Sequence, residues 1–411
     1  MSLRGCQMIY KRTTLLLVSV INIFLYSCVS NNDTTIIKDV PEATIIPGSS
    51  APIPSCDITI DNLSGDFFKD EIKEIKIIPL ETTDSCLIGK ITHLAVVNDT
   101  IIVCDASKAQ KVFLYDSAGK FLKSIGSKGS GPGEYSAISQ FTADANGIYI
   151  YDWLTSKYFH YDYNGKLVRE QTFHNTCPQQ VYQLDDTLFV ATYSAYSKDH
   201  PYSLTWINVS SGEDKECDTA LPFKFSRNWV YGEIKKTMNG EILFFKSGYE
   251  TVYKIDNKTL TPLFSLGFGD LDGFYQHNDN LSEKDFRIKL YRGKPEESPV
   301  NFYYVYDCGE KLITHFQKGS NSYVSVTDIN DMISHTYLRS NMENETMPIP
   351  FIFYDYNQKS ILSWLDSENI PFVKRLIENQ EDMCLVESLR AFIDKYNEED
   401  DNPAVCILTL K

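Results

Sequence analysis

The sequence predicts an all-β protein, a β-propeller of roughly five to six four-stranded blades at the usual blade period. Three observations carry this. Aromatic residues make up 13% of the chain, with 26 Tyr and 23 Phe, and the apolar runs are short, which favours strands over helices. The segments IIVCDASKAQKVFLYDSAGKFLKSIG and IYIYDWLTSKYFHYDYNGKLVREQTF match one another. Asp116 and Asp162 lie 46 residues apart, as do Gly119 and Gly165, while Asp105 and Asp152 lie 47 apart. The pattern then continues more faintly: Gly212 follows Gly165 by 47 residues, and Asp256 follows Asp162 by 94, two periods. Each unit reads as a strand ending in Asp, a short loop, an alternating strand, a glycine turn and another strand. A glycine turn between alternating runs signals a hairpin. One such sheet cannot bury both faces, so units at this period pack around an axis.

Along the chain, Arg4, Lys11 and Arg12 precede an apolar run over residues 15–26 that is too short to span a bilayer comfortably. Residues 1–27 therefore read as a signal peptide. Residues 28–56, rich in Ser, Thr, Asn and Pro, read as a flexible tether, and residues 57–411 as the folded body. Residues 71–80 (EIKEIKIIPL) form an alternating strand ahead of the first full unit. Repeating units fill residues 88–366, broken by an insertion near 270–299, with later units around 302–328 and 351–365. A helical insertion is expected at about 367–398, where Leu385, Leu389, Phe392 and Ile393 fall at helical spacing. The closing AVCILTLK returns to strand character. It is expected to join residues 71–80 in one shared last blade that latches the ring.

A formal net charge of −16 argues against nucleic acid as a partner, since phosphate binding needs a basic footprint. The ten cysteines show no C-x-x-C and no Cys/His zinc spacing. Several, such as Cys104 and Cys406, stand in apolar strand-like runs and read as buried free thiols.

The stretch FLKSIGSKGSGPGEY packs Gly126, Gly129, Gly131 and Gly133 closely together. A P-loop places Lys and Ser/Thr after its last glycine, whereas here Glu134 and Tyr135 follow. The dinucleotide-binding spacing is wrong as well, and no helical period follows. The stretch reads instead as a connector between blades. Glycines supply positive φ there without steric cost, with Gly131 and Gly133 as the expected positions, and Pro132 stiffens the loop. No nucleotide or other cofactor is expected.

IGSKGSGPGEY, with FLYDSAGKFL before it and a second GK-turn unit after it, resembles the six-bladed β-propeller lipoproteins of Bacteroidetes, relatives of the NHL-repeat propellers. The terminal DDNPAVCILTLK is similar to the closing strand of that family. The resemblance covers roughly residues 70–411 and implies six blades and an envelope lipoprotein, but no particular activity. It makes Gly126, Gly129, Gly131, Pro132, Gly133 and Glu134 a structural motif. Leu25-Tyr26-Ser27-Cys28 resembles a lipobox, with Tyr26 bulkier than the usual occupant, and this implies that Cys28 carries the lipid and ties the protein to the membrane.

Seven histidines (His93, His160, His174, His200, His277, His315 and His335) are scattered, none in H-x-H or H-E-x-x-H spacing, so no metal site is expected. No G-x-S-x-G elbow is present. Asp105 and Asp152 recur at equivalent strand ends, which suits capping of loop backbone. Aromatic-rich loops nominate Trp153, His160, Tyr196, His200, Trp229 and Tyr275 as ligand-binding positions, since rings offer apolar area at low entropy cost. Packing between blades uses the same residue types. The expected function is a lipid-anchored envelope module that binds or scaffolds a glycan, peptide or protein without catalysis. The alternative is a lyase or hydrolase acting on polysaccharide or peptide at the axial mouth.

Overall fold

The structure, a computed structural model, describes residues 42–48, 52–174, 178–193, 199–210, 213–223, 232–237, 240–246, 249–267, 269, 271–278, 280–341, 354–357, 359–379, 383–397 and 401–411. The expected signal peptide, Cys28, the first part of the tether, Tyr196 and Trp229 lie outside these residues.

Six sheets, each built on four antiparallel strands, form a six-bladed β-propeller. Blade one is His93–Val97, Thr100–Asp105, Lys111–Tyr115 and Phe121–Ile125; blade two is Gln140–Asp144, Gly147–Asp152, Lys157–Tyr161 and Leu167–Thr172. Blade three is Gln180–Gln183, Leu188–Thr192, Tyr202–Asn208 and Lys215–Pro222; blade four is Gly232–Lys236, Ile242–Lys246, Thr251–Asp256 and Thr259–Gly267. Blade five is Val300–Asp307, Lys311–Lys318, Asn321–Asp328 and Ser334–Asn341. In each blade the first strand is innermost; the first strands of blades one and two, three and four, five and six, and six and one approach one another, and Gln140 of blade two bonds the Val181 backbone of blade three. Second strands such as Thr100–Asp105 (TIIVCD) and Ser360–Leu365 (SILSWL) are buried almost throughout. They are covered on both faces, so they read as continuous apolar runs rather than alternating ones.

Blade six holds Tyr354–Asn357, Ser360–Leu365, Ala404–Leu410 and, as its outer strand, Ile72–Pro79. The closing strand lies between partners from both ends of the chain, with Ile407 opposite Leu362 on one side and Lys76 on the other. The shared last blade expected from the sequence is present. Helices Ile370–Asn379 and Met383–Ile393 fill the expected helical insertion, and Val373 and Leu389 bury into the core between blades five and six. The insertion between blades four and five is also helical, Leu271–His277 and Glu283–Arg292. Its own small core is Phe274, Tyr275, Phe286 and Leu290.

Strand alternation gives the ring two faces. Turns joining first to second and third to fourth strands lie on one, the hairpin face. Turns joining second to third strands lie on the other with the blade-to-blade connectors, the connector face. An apolar cluster occupies the junction of every neighbouring pair of blades.

The described part of the segment read as a flexible tether is not free; it is a strap along the outer rim. Ile45 N donates to Thr219 O at 2.9 Å on blade three, and Gly48 N to Leu260 O at 3.0 Å on blade four. Ser55–Asp57 then adds a fifth, parallel strand to the outer edge of blade four, opposite Ser265–Gly267. Ser64 N donates to Thr336 O of blade five at 2.7 Å, after which the short helix Phe67–Glu71 leads into blade six. At each junction the strap inserts apolar side chains. Ile45 enters between blades three and four, Cys56 and Ile58 between four and five, and Phe67 and Phe68 between five and six. Composition suggested flexibility, but backbone edges and three apolar wedges hold the strap down.

Candidate functional site

The glycine stretch links the outer strand of blade one to the inner strand of blade two. Positive φ occurs at Gly126 (70°) and Gly133 (71°) and not at Gly131, which corrects one of the two expected positions. Gly129 and Gly131 answer a different need. The Glu134 carboxylate folds back beneath the loop, where its Oε2 accepts from Gly131 N at 2.8 Å. A Cβ on Gly129 would stand 2.0 Å from that oxygen. Glu170 Oε2 accepts from Gly133 N at 2.9 Å while its Oε1 receives Lys157 Nζ at 2.7 Å. Burial pushes the Glu170 carboxyl up, but Lys157 and the Gly133 amide outweigh it and hold it below the ordinary value. The amides that would cradle a phosphate thus already face the protein's own carboxylates. Gly133→Val is expected to cost about 1–3 kcal/mol, because a β-branched residue resists positive φ. Urea titration checks this, and an unchanged midpoint would remove the strain argument.

Asp105 and Asp152 do cap loop backbone. Asp105 Oδ2 accepts from Gly89 N and Lys90 N at 2.8 and 3.0 Å, and Oδ1 from Lys108 N at 2.8 Å. Asp152 Oδ2 accepts from Ser136 N at 2.7 Å and Oδ1 from Leu154 N at 3.0 Å. Each carboxylate therefore ties a second-to-third-strand turn to the neighbouring connector.

The aromatic candidates do not gather at one place. Trp153 is exposed on the connector face of blade two. His160 lies beside the Asn146 turn at the hairpin face, its ring 4.5 Å from that of Tyr149. His200 stacks on Tyr193 at 4.1 Å in blade three, with Nδ1 3.5 Å from Glu216 Oε1. Tyr275 is 1% exposed in the core of the helical insertion and offers no surface to a ligand. Near the axis, Lys236 of blade four reaches past blade three to pair with Asp144 of blade two. Tyr149 Oη also donates to Asp144, at 3.0 Å. Burial raises the Asp144 carboxyl, but Lys236 and the Asn146 amide win, leaving it below the ordinary value. This pair braces the ring.

The strongest candidate lies on the hairpin face at the rim, between blades five and six. A groove of about 1340 Å³ opens there. Its floor is Glu71, the last residue of the strap's short helix, with a side chain 5% exposed. Lys311 Nζ donates to Glu71 Oε2 at 2.9 Å, Tyr337 Oη donates to Oε1 at 2.7 Å, and His335 Nδ1 stands 3.4 Å from Oε1. Burial pushes the Glu71 carboxyl up, but Lys311 and Tyr337 prevail and keep it below the ordinary value. It is therefore ionised at neutral pH and paired. Asp66 and Asp70 stand on one wall, Asp328, Asp331 and the exposed Ile333 on the other. Among the described residues, no group of three or more His, Cys, Asp or Glu is placed to hold a metal ion.

Sequence reasoning missed this groove. Its floor joins Glu71 to partners 240 and 266 residues away, a separation that no local period encodes. One signal was available: Asp66 stands directly before the apolar pair Phe67-Phe68 and caps their helix, accepting from Phe68 N at 2.9 Å.

Comparison with known proteins agrees with this architecture. A solved structure from Bacteroides fragilis, named as a candidate exported protein, superposes with a TM-score of 0.66 at 19% identity, over 88% of this chain and 100% of that one. A member of the duf4221 family from Bacteroides vulgatus gives a TM-score of 0.48 at 11% identity, over 82% of this chain and 98% of that one. At 19% identity the first likeness concerns the fold alone. No curated protein matches the chain. The model of a domain of unknown function, DUF4934, matches residues 53–409, from the strap's added strand to the closing strand of blade six. The chain belongs to the DUF4934 family.

Proposed function

We propose that this chain is a cell-envelope protein, lipid-anchored through Cys28, whose propeller is a non-catalytic binding or scaffold module. Its ligand seat is the groove between blades five and six. The groove carries this reading: at about 1340 Å³ it exceeds the several hundred Å³ typical of a small-molecule site. An oligosaccharide or a short peptide fits that scale. Its buried carboxylate is already paired with Lys311 and Tyr337, which favours holding a ligand over transforming it. Export is supported by the relative named as a candidate exported protein and by the apolar run ahead of Cys28. The runner-up is a lyase or hydrolase, and His335 beside Glu71 is the acid–base pair such an enzyme would use.

Glycan and peptide arrays probed with the unit Asn32–Lys411 test the seat. A ligand is expected that Ile333→Asp abolishes without lowering the melting temperature. A ligand held equally by that variant, or consumed in a His335-dependent way, counts against the reading. Labelling of the full chain with a fatty-acid probe, lost in Cys28→Ser, is the expected sign of the anchor.

A further inference from the structure

We infer that the connector face of blades one and two rests on a lipid bilayer. Three large apolar side chains stand out from this face: Leu87, Trp153 and Leu154 are 54%, 46% and 60% exposed. Leu87 belongs to the connector that brings the chain from blade six into blade one. Trp153 and Leu154 form the tip of the second-to-third-strand turn in blade two. Their placement on one face is fixed by backbone ties. Asp105 holds the Gly89 and Lys90 amides beside the equivalent turn of blade one, and Trp153 N donates to Ser139 Oγ at 3.2 Å in the next connector.

Several features favour a bilayer over a protein partner. The apolar residues sit on one connector and one turn tip of neighbouring blades, which suits insertion into a fluid surface rather than the filling of a complementary pocket. The Trp153 indole N–H has no hydrogen-bond partner among the described residues, and indoles with an apolar body and a free donor favour the headgroup boundary. Lys108 and Lys128 are exposed on the same face, while Lys90 is paired with Glu368 at 3.6 Å. With Asp84 exposed in the Leu87 connector, the two cations still leave this face net positive beside the apolar side chains, which suits lipid phosphates, against the grain of a chain whose net charge is −16.

The path of the chain agrees. The strap enters the described structure at Glu42, whose carbonyl accepts from Tyr202 Oη of blade three at 3.1 Å. Tyr202 opens the third strand of blade three, so the strap starts at the connector-face end of the blade next to blade two. The groove between blades five and six opens on the opposite face, towards solvent. The inference stands apart from the groove's ligand and from the anchor, so its failure would leave both readings as they are.

Co-flotation of the unit Asn32–Lys411, which contains the ring and strap but not Cys28, tests it. The probes are phosphatidylcholine vesicles with and without phosphatidylglycerol. The expected result is partitioning that falls about tenfold or more in Trp153→Ser/Leu154→Ser, since membrane binding scales with the apolar area inserted. The melting temperature of that variant should stay unchanged. Brominated lipid should quench the protein's fluorescence, and Trp153→Phe should remove the quenching while it still partitions. Lys108→Glu/Lys128→Glu should weaken binding only to the anionic vesicles. A protein that stays in bulk solution at every lipid concentration overturns the inference. So does a Trp153/Leu154 variant that partitions as well as the parent, or a protein ligand captured by these tips when vesicles are not.

Discussion

Removal of residues 403–411 should leave a chain that no longer melts cooperatively. The closing strand Ala404–Leu410 lies in the interior of blade six, bonded to Ser360–Leu365 on one side and Ile72–Pro79 on the other. Val405, Ile407, Leu408 and Leu410 are all buried. Burying four such side chains stabilises by on the order of 10 kcal/mol, comparable with the ~5–15 kcal/mol net stability of a typical domain. The deletion would also strand Ile72–Pro79 as an unpaired outer strand, leaving open sheet edges. Calorimetry of the truncated protein checks this, and a transition at the parent temperature would mean that the ring closes by other contacts.

Loss of the strap should be the next most damaging change. A chain beginning at residue 61 keeps all six blades but gives up Ile45, Cys56 and Ile58 from two blade junctions. The two isoleucines alone account for about 3–6 kcal/mol of burial. It also uncovers the edge of Thr259–Gly267, which Ser55–Asp57 otherwise pairs, and exposed edges promote association. A lower urea midpoint and concentration-dependent oligomers are expected relative to a chain beginning at residue 32. Equal midpoints for the two chains would show that the strap is only laid on the surface.

These two elements mark how far the sequence could be read. The latch was legible because two alternating strands, residues 71–80 and 404–410, stood outside the repeating units and needed partners. The blades were legible where the same chemistry recurs, as with Asp105 and Asp152 capping equivalent turns. The strap was not. It binds through backbone groups and through wedges at Ile45, at Cys56 and Ile58, and at Phe67 and Phe68, a spacing set by blade width rather than by the period of a helix or strand. Its Ser, Thr and Pro therefore look like those of any linker. Glu134 was noticed because it excludes a phosphate, but that its carboxylate fills the loop depends on the fold of residues 126–135. The groove was hidden for a related reason: Glu71, Lys311 and Tyr337 meet only once the ring has closed. Aromatic residues misled in the other direction, since composition does not separate a ring shown to solvent, such as Trp153, from one packed away, such as Tyr275.

The strap also sets the order in which the molecule yields to force. A pull applied at residue 42 does not reach the closing blade directly. It loads the Glu42 carbonyl, Thr44 and the Ile45 amide on blade three first, then Gly48 on blade four, then the parallel pairing of Ser55–Asp57, and only afterwards Phe67 and Phe68. These attachments lie in series, so each must give way before the next carries tension. Peeling as far as residue 58 would free roughly 55 Å of chain at about 3.3–3.6 Å per residue, while the latch of blade six remains engaged. With its N-terminus held, the chain would act as a mechanical fuse, lengthening in steps along the rim before the ring itself bears any load.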